Sequence, residues 1–209
     1  YLDMVLDIVQ IKMEKIKSLP FFEENDKKKY FELLPEESSL KKAYKKLVGL
    51  GPESVSLEQQ SELTAQMEPG SIDVNIMVKL DRRIYSSKGE PLDESLSDGR
   101  AALRGYAKSK LTSSIIYSAG INQPLFSDMV EYLDFYRNEL GQLKKKIVLK
   151  VSDFRSALIQ GKFLARKGLE VSEFRIESGL NCGGHAFASN GLLLPVLLNE
   201  ISEKRSQLH

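Results

Sequence analysis

Apolar residues recur along the first seventeen positions at helical intervals: Leu2, Val5, Leu6, Ile8, Val9, Ile11, Met13 and Ile16, with Asp, Gln, Lys and Glu between them. That spacing predicts an amphipathic helix that lies on a packing surface. Ser18, Leu19 and Pro20 end it, because proline lacks the amide that would continue the ladder and restrains the residue before it. From residue 21 to 66 short apolar clusters stand in a strongly charged background, without the alternation of a strand. Helices are predicted over 36–48, opened at Pro35, and over 57–67, opened at Ser56, with a break from Gly49 to Pro52. Residues 1–67 therefore read as a helical flank or insertion.

The rhythm changes after the turn signal Glu68-Pro69-Gly70-Ser71. Over 72–80, Val74, Ile76, Val78 and Leu80 alternate with Asp73, Asn75, Met77 and Lys79, which is the period of a strand. Asn75 and Lys79 on its polar side are candidates to meet a ligand, against the plainer reading of a salt-bridged or solvent-facing side. Residues 81–97 carry no period and read as a surface loop. A short helix is predicted over 98–109, a buried strand over 113–118, a turn at 119–124 and a helix over 125–136. Residues 146–151 form the next strand, Ser152 and Asp153 offer a cap, and a helix over 154–167 closes at Gly168. A strand over 171–177, a glycine-flanked loop and a helix from Ser189 or Asn190 to Ile201 complete a run of β-α-β-α. Such a run favours parallel pairing. Residues 202–209 look like a charged helical tail. The expected fold class is α/β: a partial (β/α)8 TIM-barrel-like parallel sheet over 68–209, preceded by the helical segment.

The 209 residues are 42% hydrophobic and 28% charged, enough for a globular core. A formal net charge of +1 gives no global electrostatic case for nucleic acid or an anionic membrane. The lysine runs at 27–29 and 144–146 read as solvated surface. A single cysteine excludes an internal disulfide framework and fits a reducing compartment. Neither a signal peptide nor an apolar run of about 18 residues is present, so a cytoplasmic location is the expectation. The chain opens at Tyr1, already inside a helical pattern, and is expected to be part of something longer.

Chemistry concentrates in one stretch, Gly179-Leu180-Asn181-Cys182-Gly183-Gly184-His185, between a predicted strand and the next helix. In parallel α/β folds that junction is where amides and side chains converge. On the residues alone, His185 is either a catalytic base or a helix cap bonded to the backbone. Cys182 as a nucleophile lacks a partner histidine other than His209, and one Cys with one His cannot build a zinc site. Phosphate binding by Gly183 and Gly184 lacks the surrounding glycine-rich pattern.

Together with the strand lysine Lys150, the helix that follows it, and the Leu194-Pro195 step, this loop resembles the nitronate monooxygenase, or 2-nitropropane dioxygenase, family of FMN-dependent TIM barrels. The likeness covers about sixty residues, and the GGH triplet gains specificity from its β-α-β-α frame. It implies an FMN-dependent oxidoreductase acting on a small-molecule substrate. His185 would be the catalytic base, Lys150 a cation beside the flavin, and Ser178, Asn181, Cys182, Gly183 and Gly184 the cofactor pocket. Two features depart from the family: Asn181 stands where an acidic residue is usual, and the chain stops before the strands whose glycine-rich loops close the FMN phosphate site. The resemblance thus implies a missing barrel half or a homo-oligomeric partner. The alternative is a non-catalytic α/β domain or interaction module.

Overall fold

The computed structural model describes residues 1–78, 82–177 and 194–208. It divides into two compact units, Asp3–Gly70 and Ser71–His209, each taken here by itself.

The first unit is built from helices α1 (Leu2–Lys17), α2 (Asp26–Leu33), α3 (Ser39–Leu50) and α4 (Leu57–Ala65). Their core is Met13, Phe21, Phe31, Tyr44, Leu63 and Met67, with the rings of Phe31 and Tyr44 stacked at 4.4 Å. α4 opens at Ser56 as expected, and Ser56 and Gln59 form a reciprocal capping box there. Two expectations are corrected. The helix predicted over 36–48 starts at Ser39, because the Ser38 hydroxyl caps Lys41 N, not at Pro35. An unpredicted helix, α2, opens where Asn25 accepts hydrogen bonds from Lys27 N and Lys28 N. Its C-terminal carbonyls are held by Lys41, whose buried Nζ donates to Glu32 O at 2.7 Å and Leu34 O at 2.8 Å and pairs with Glu36 at 2.8 Å. A cation there answers both the orphan carbonyls and the negative end of the helix.

The second unit is a four-stranded parallel sheet in the order β1 (Val74–Ile76), β2 (Ser114–Tyr117), β3 (Lys146–Val151), β4 (Val171–Ile176). Between strands run α5 (Asp98–Ala107), α6 (Gln123–Asp128) and α7 (Phe154–Ala165), and α8 (Leu194–Lys204) comes last. Sequential strand order with crossovers of one hand lays the connecting helices on one face of the sheet. The register puts Ile76, Tyr117, Leu149 and Phe174 in one row. That row is the helix side: a Cβ on Gly161 of α7 would stand 3.3 Å from the Phe174 ring. The next row, Asn75, Ile116, Val148 and Glu173, belongs to the opposite face, with Asp73, Lys146, Lys150, Arg175 and Glu177.

This second face is curled. By register Arg175 lies level with residue 77, four residues beyond Asp73 and three strands away. On a flat sheet their Cα atoms would be about 19 Å apart, from spacings of about 3.3 Å along and 4.8 Å between strands. The Arg175 guanidinium nevertheless reaches the Asp73 carboxylate at 3.7 Å. Only a sheet bent toward this face brings its two edges that close.

Several expectations shift here. The predicted strand over 72–80 is described as a strand only at Val74–Ile76, and residues 79–81, Lys79 included, lie outside the described residues. The predicted helix over 125–136 ends at Asp128 and gives way to 3-10 turns, Met129–Glu131 and Leu133–Phe135. Tyr132 turns extended between them, and the Asp134 carbonyl is drawn off to accept from Lys145 N at 2.9 Å. The loop predicted over 81–97 contains an antiparallel bridge between Tyr85 and Pro91. Gly168 caps α7 as expected, at φ +75, with Leu169 N bonded to Leu164 O and Gly168 N to Ala165 O. The lysine runs are not uniformly solvated. Lys27 is buried, and desolvation lowers its pKa. Lys145 is 0% exposed, donating through Nζ to Tyr106 O at 2.8 Å and Ser109 O at 2.7 Å, beneath the end of α5.

Candidate functional site

Parallel strands point their carbonyl ends at one rim, and the segments leaving that rim carry the polar groups of interest. At this rim β3 ends in Lys150 and Val151. Glu177 extends the ladder past β4 by donating its amide to Val151 O at 2.8 Å. The Lys150 ammonium meets the Glu177 carboxylate at 2.6 Å, with the two side chains 25% and 32% exposed. The two groups stand on the polar face because Lys150 is level with Arg175 and Glu177 lies two residues on. Their neighbours on that face are also paired: Arg175 bonds Glu173 and reaches Asp73, which accepts from Ser114 N at 3.0 Å and Ser71 Oγ at 2.6 Å. The Glu173 carboxylate, first, and Asp73 raise the pKa of Arg175 above its ordinary value.

On the other side of the rim, Asn122 is almost fully buried and ties two strand ends together. Its Nδ2 donates to Val78 O at 3.2 Å, while its Oδ1 accepts from Leu125 N and caps α6. Gly120, at φ +121, makes the turn that delivers it. The N-terminus of α7 is filled by the Asp153 carboxylate, which accepts from Ser156 N at 2.6 Å and from Ser156 Oγ at 2.8 Å. That carboxylate places negative charge where a phosphate would dock.

Of the residues singled out in the sequence, Lys150 takes its place at this rim, largely buried and paired. Ser178, Asn181, Cys182, Gly183, Gly184 and His185 lie outside the described residues. Asn75 is exposed on the polar face and has Ile116 beside it. Sequence reasoning missed Glu177 as a functional partner, treating it as the last residue of a strand. Alternation sets Arg175 and Glu177 on one side of β4, and the register shift between Ile147 and Val148 makes that the side of Lys150. It also missed Asn122, whose asparagine-before-helix pattern marks a cap.

Fit to an FMN can be judged on the described residues at two ends of the molecule. A cation suited to negative charge on a reduced ring is present in Lys150, although Glu177 neutralises it. Of the helix N-termini described at this rim, that of α7 carries the Asp153 carboxylate and that of the six-residue α6 is capped by Asn122. Among the described residues no group of three or more His, Cys, Asp or Glu could hold a metal. No described helix is long and apolar enough to cross a membrane. At the opposite rim a groove of about 380 Å3 is lined by Arg137, Lys146, Glu170 and Glu173 among others. Its strongest cation, Arg137, is already spent on Glu170 through two bonds of 2.7 Å.

No protein-family model, no curated protein and no solved structure matches this chain.

Proposed function

We propose that the chain carries the ring-binding part of an FMN-dependent oxidoreductase site of nitronate monooxygenase type, on part of a (β/α)8 barrel. The observation that supports it is the Lys150–Glu177 pair at the carbonyl rim, one residue before the loop that bears His185. In this reading FMN, when bound, supplies the electron acceptor for a small anionic carbon acid such as a nitronate. Lys150 contributes positive charge beside the ring, released from Glu177 or shared with it. His185 holds or takes a proton at the substrate carbon, a role suited to a group titrating near neutrality. Gly183 and Gly184 let the backbone approach the ring without a Cβ in the way. Ser178, Asn181 and Cys182 complete the lining.

Absorbance titration of the 209-residue protein with FMN tests the reading. A shift of the flavin bands that is reduced in Lys150→Ala and His185→Ala, but kept in Lys144→Ala, is the expected result. No shift, or a shift indifferent to all three substitutions, refutes it. A second reading, a non-catalytic α/β domain, is favoured by one observation: Lys150 already has its counter-ion in Glu177. Under that reading Lys150→Ala lowers stability and leaves flavin spectra untouched.

A further inference from the structure

Helix α1 carries two apolar stripes, and only one of them is covered. Written as heptads from Tyr1, the residues Leu2, Leu6, Val9, Met13 and Ile16 occupy positions b and f. These are the buried and half-buried positions, with Met13 in the core of the first unit and Ile16 packed against it. Tyr1, Met4, Ile8 and Ile11 fall at a, d, a and d, with Met4 53%, Ile8 49% and Ile11 58% exposed. A 3-4 spacing of apolar residues is the seam of a two-stranded coiled coil. Lys15 takes the next a position, where one polar residue restricts the oligomer state and its stem can lie along the seam.

The flanking charges select the occupant. Asp7 is at g and Lys12 at e, five residues on. That is the offset at which g of one helix meets e of a parallel partner. Both are exposed, and neither forms an ion pair among the described residues, whereas Glu14 at the other g position is taken by Lys17 at 3.4 Å. In an antiparallel arrangement g would face g and e would face e, setting Asp7 against Asp7 or Glu14. We infer that α1 pairs in parallel with α1 of a second copy of this chain, through Met4, Ile8 and Ile11, in a register set by two symmetric Asp7–Lys12 bridges. The contact is isologous and closes on itself. With two heptads it is short, so association is weak and concentration-dependent.

Sedimentation equilibrium of the full 209-residue chain at low ionic strength, up to about 0.2 mM, tests this. A monomer–dimer equilibrium is expected, abolished by Ile8→Asn. Asp7→Lys and Lys12→Asp each turn two attractions into two repulsions and weaken the dimer about tenfold. The double variant Asp7→Lys/Lys12→Asp restores it. These positions are exposed, and circular dichroism confirms that each variant remains folded. A chain that stays monomeric throughout overturns the inference, as does a dimer indifferent to Ile8→Asn or a double variant no tighter than the single ones.

Discussion

Replacing Lys145 by methionine should destabilise the sheet unit far more than any change at its neighbour Lys144. The Lys145 ammonium sits with 0% exposure under the C-terminal turn of α5, donating to Tyr106 O at 2.8 Å and Ser109 O at 2.7 Å. It lies 4.8 Å from the centre of the Tyr106 ring, with the Asp134 carboxylate at 3.8 Å. Methionine keeps most of the volume and removes the charge and its donors; Tyr106 O retains Ser109 N at 3.0 Å and Ser109 Oγ at 2.7 Å, so the dominant loss is the charged network around Ser109 O. A hydrogen bond to a charged group contributes about 1.5–3 kcal/mol, and breaking a buried charged network by removing one partner costs about 3–5 kcal/mol. Relief of the lysine's own desolvation offsets part of this, which sets the expectation at about 3 kcal/mol. For a domain of this size that lowers the melting temperature by about 10 °C. Lys144 is half exposed and pairs with Asp134 at 2.8 Å, so Lys144→Ala should cost about 0–1 kcal/mol. Urea denaturation of both variants, followed by near-ultraviolet dichroism of the buried tyrosines, gives the comparison. If Lys145→Met falls within 1 kcal/mol of Lys144→Ala, the ammonium does not hold the end of α5 and the reasoning fails.

Other substitutions probe single terms. The hydroxyl of Tyr117 is fully buried with no hydrogen-bond partner among the described residues, and burial pushes its pKa well above the usual value. Tyr117→Phe should be neutral or raise stability by up to about 1 kcal/mol in thermal melts, and a clear loss would reveal a bond to that oxygen. Gly168→Ala forces a side chain into φ +75 and should cost about 1 kcal/mol in the same assay; an unchanged melting temperature would refute it. Glu36, bonded first by Lys41 and then by Lys45, has its carboxyl lowered from 4.5 to about 2. A depressed carboxylate stabilises the fold above its unfolded pKa and loses that contribution as pH falls, here between pH 4.5 and about 2. Glu36→Gln should therefore flatten the acid limb of the stability curve, and an identical limb would show that the pairs do not survive in solution.

Where periodicity and local chemistry agreed, the sequence was readable. The strands over 146–151 and 171–177, the cap at Asp153 and the stop at Gly168 are all read from local residues, and the elements follow them closely. The reading failed where tertiary contacts overruled local ones. Nothing within residues 125–136 announces that Lys145, ten residues or so onward, takes the Asp134 carbonyl out of the helix. Likewise lysines in a polar run look solvated until the fold lays a helix end over one of them. Lys41 and Lys145 share this use: each is a buried cation seated on the carbonyls that end a helix, α2 in one unit and α5 in the other. A composition count sees two lysines in charged surroundings; only the fold shows that both complete a backbone.

The candidate site follows the same division. That Lys150 faces away from the helices could be deduced from alternation, because Leu149 and Val151 are the apolar pair flanking it. That Glu177 answers it at 2.6 Å depended on β4 being parallel to β3 and on the register shift between Ile147 and Val148, which the sequence does not announce. The shift inserts one residue into β4 and sets Arg175, not Phe174, beside Lys150. Without it the ring of Phe174 would face the polar side and the acid would face α7. The charge pattern of the rim thus rests on one irregularity in pairing. Glu177, the counter-ion of Lys150, is the last described residue before the 179–185 stretch, so the pair ties the end of β3 to the point where that stretch begins.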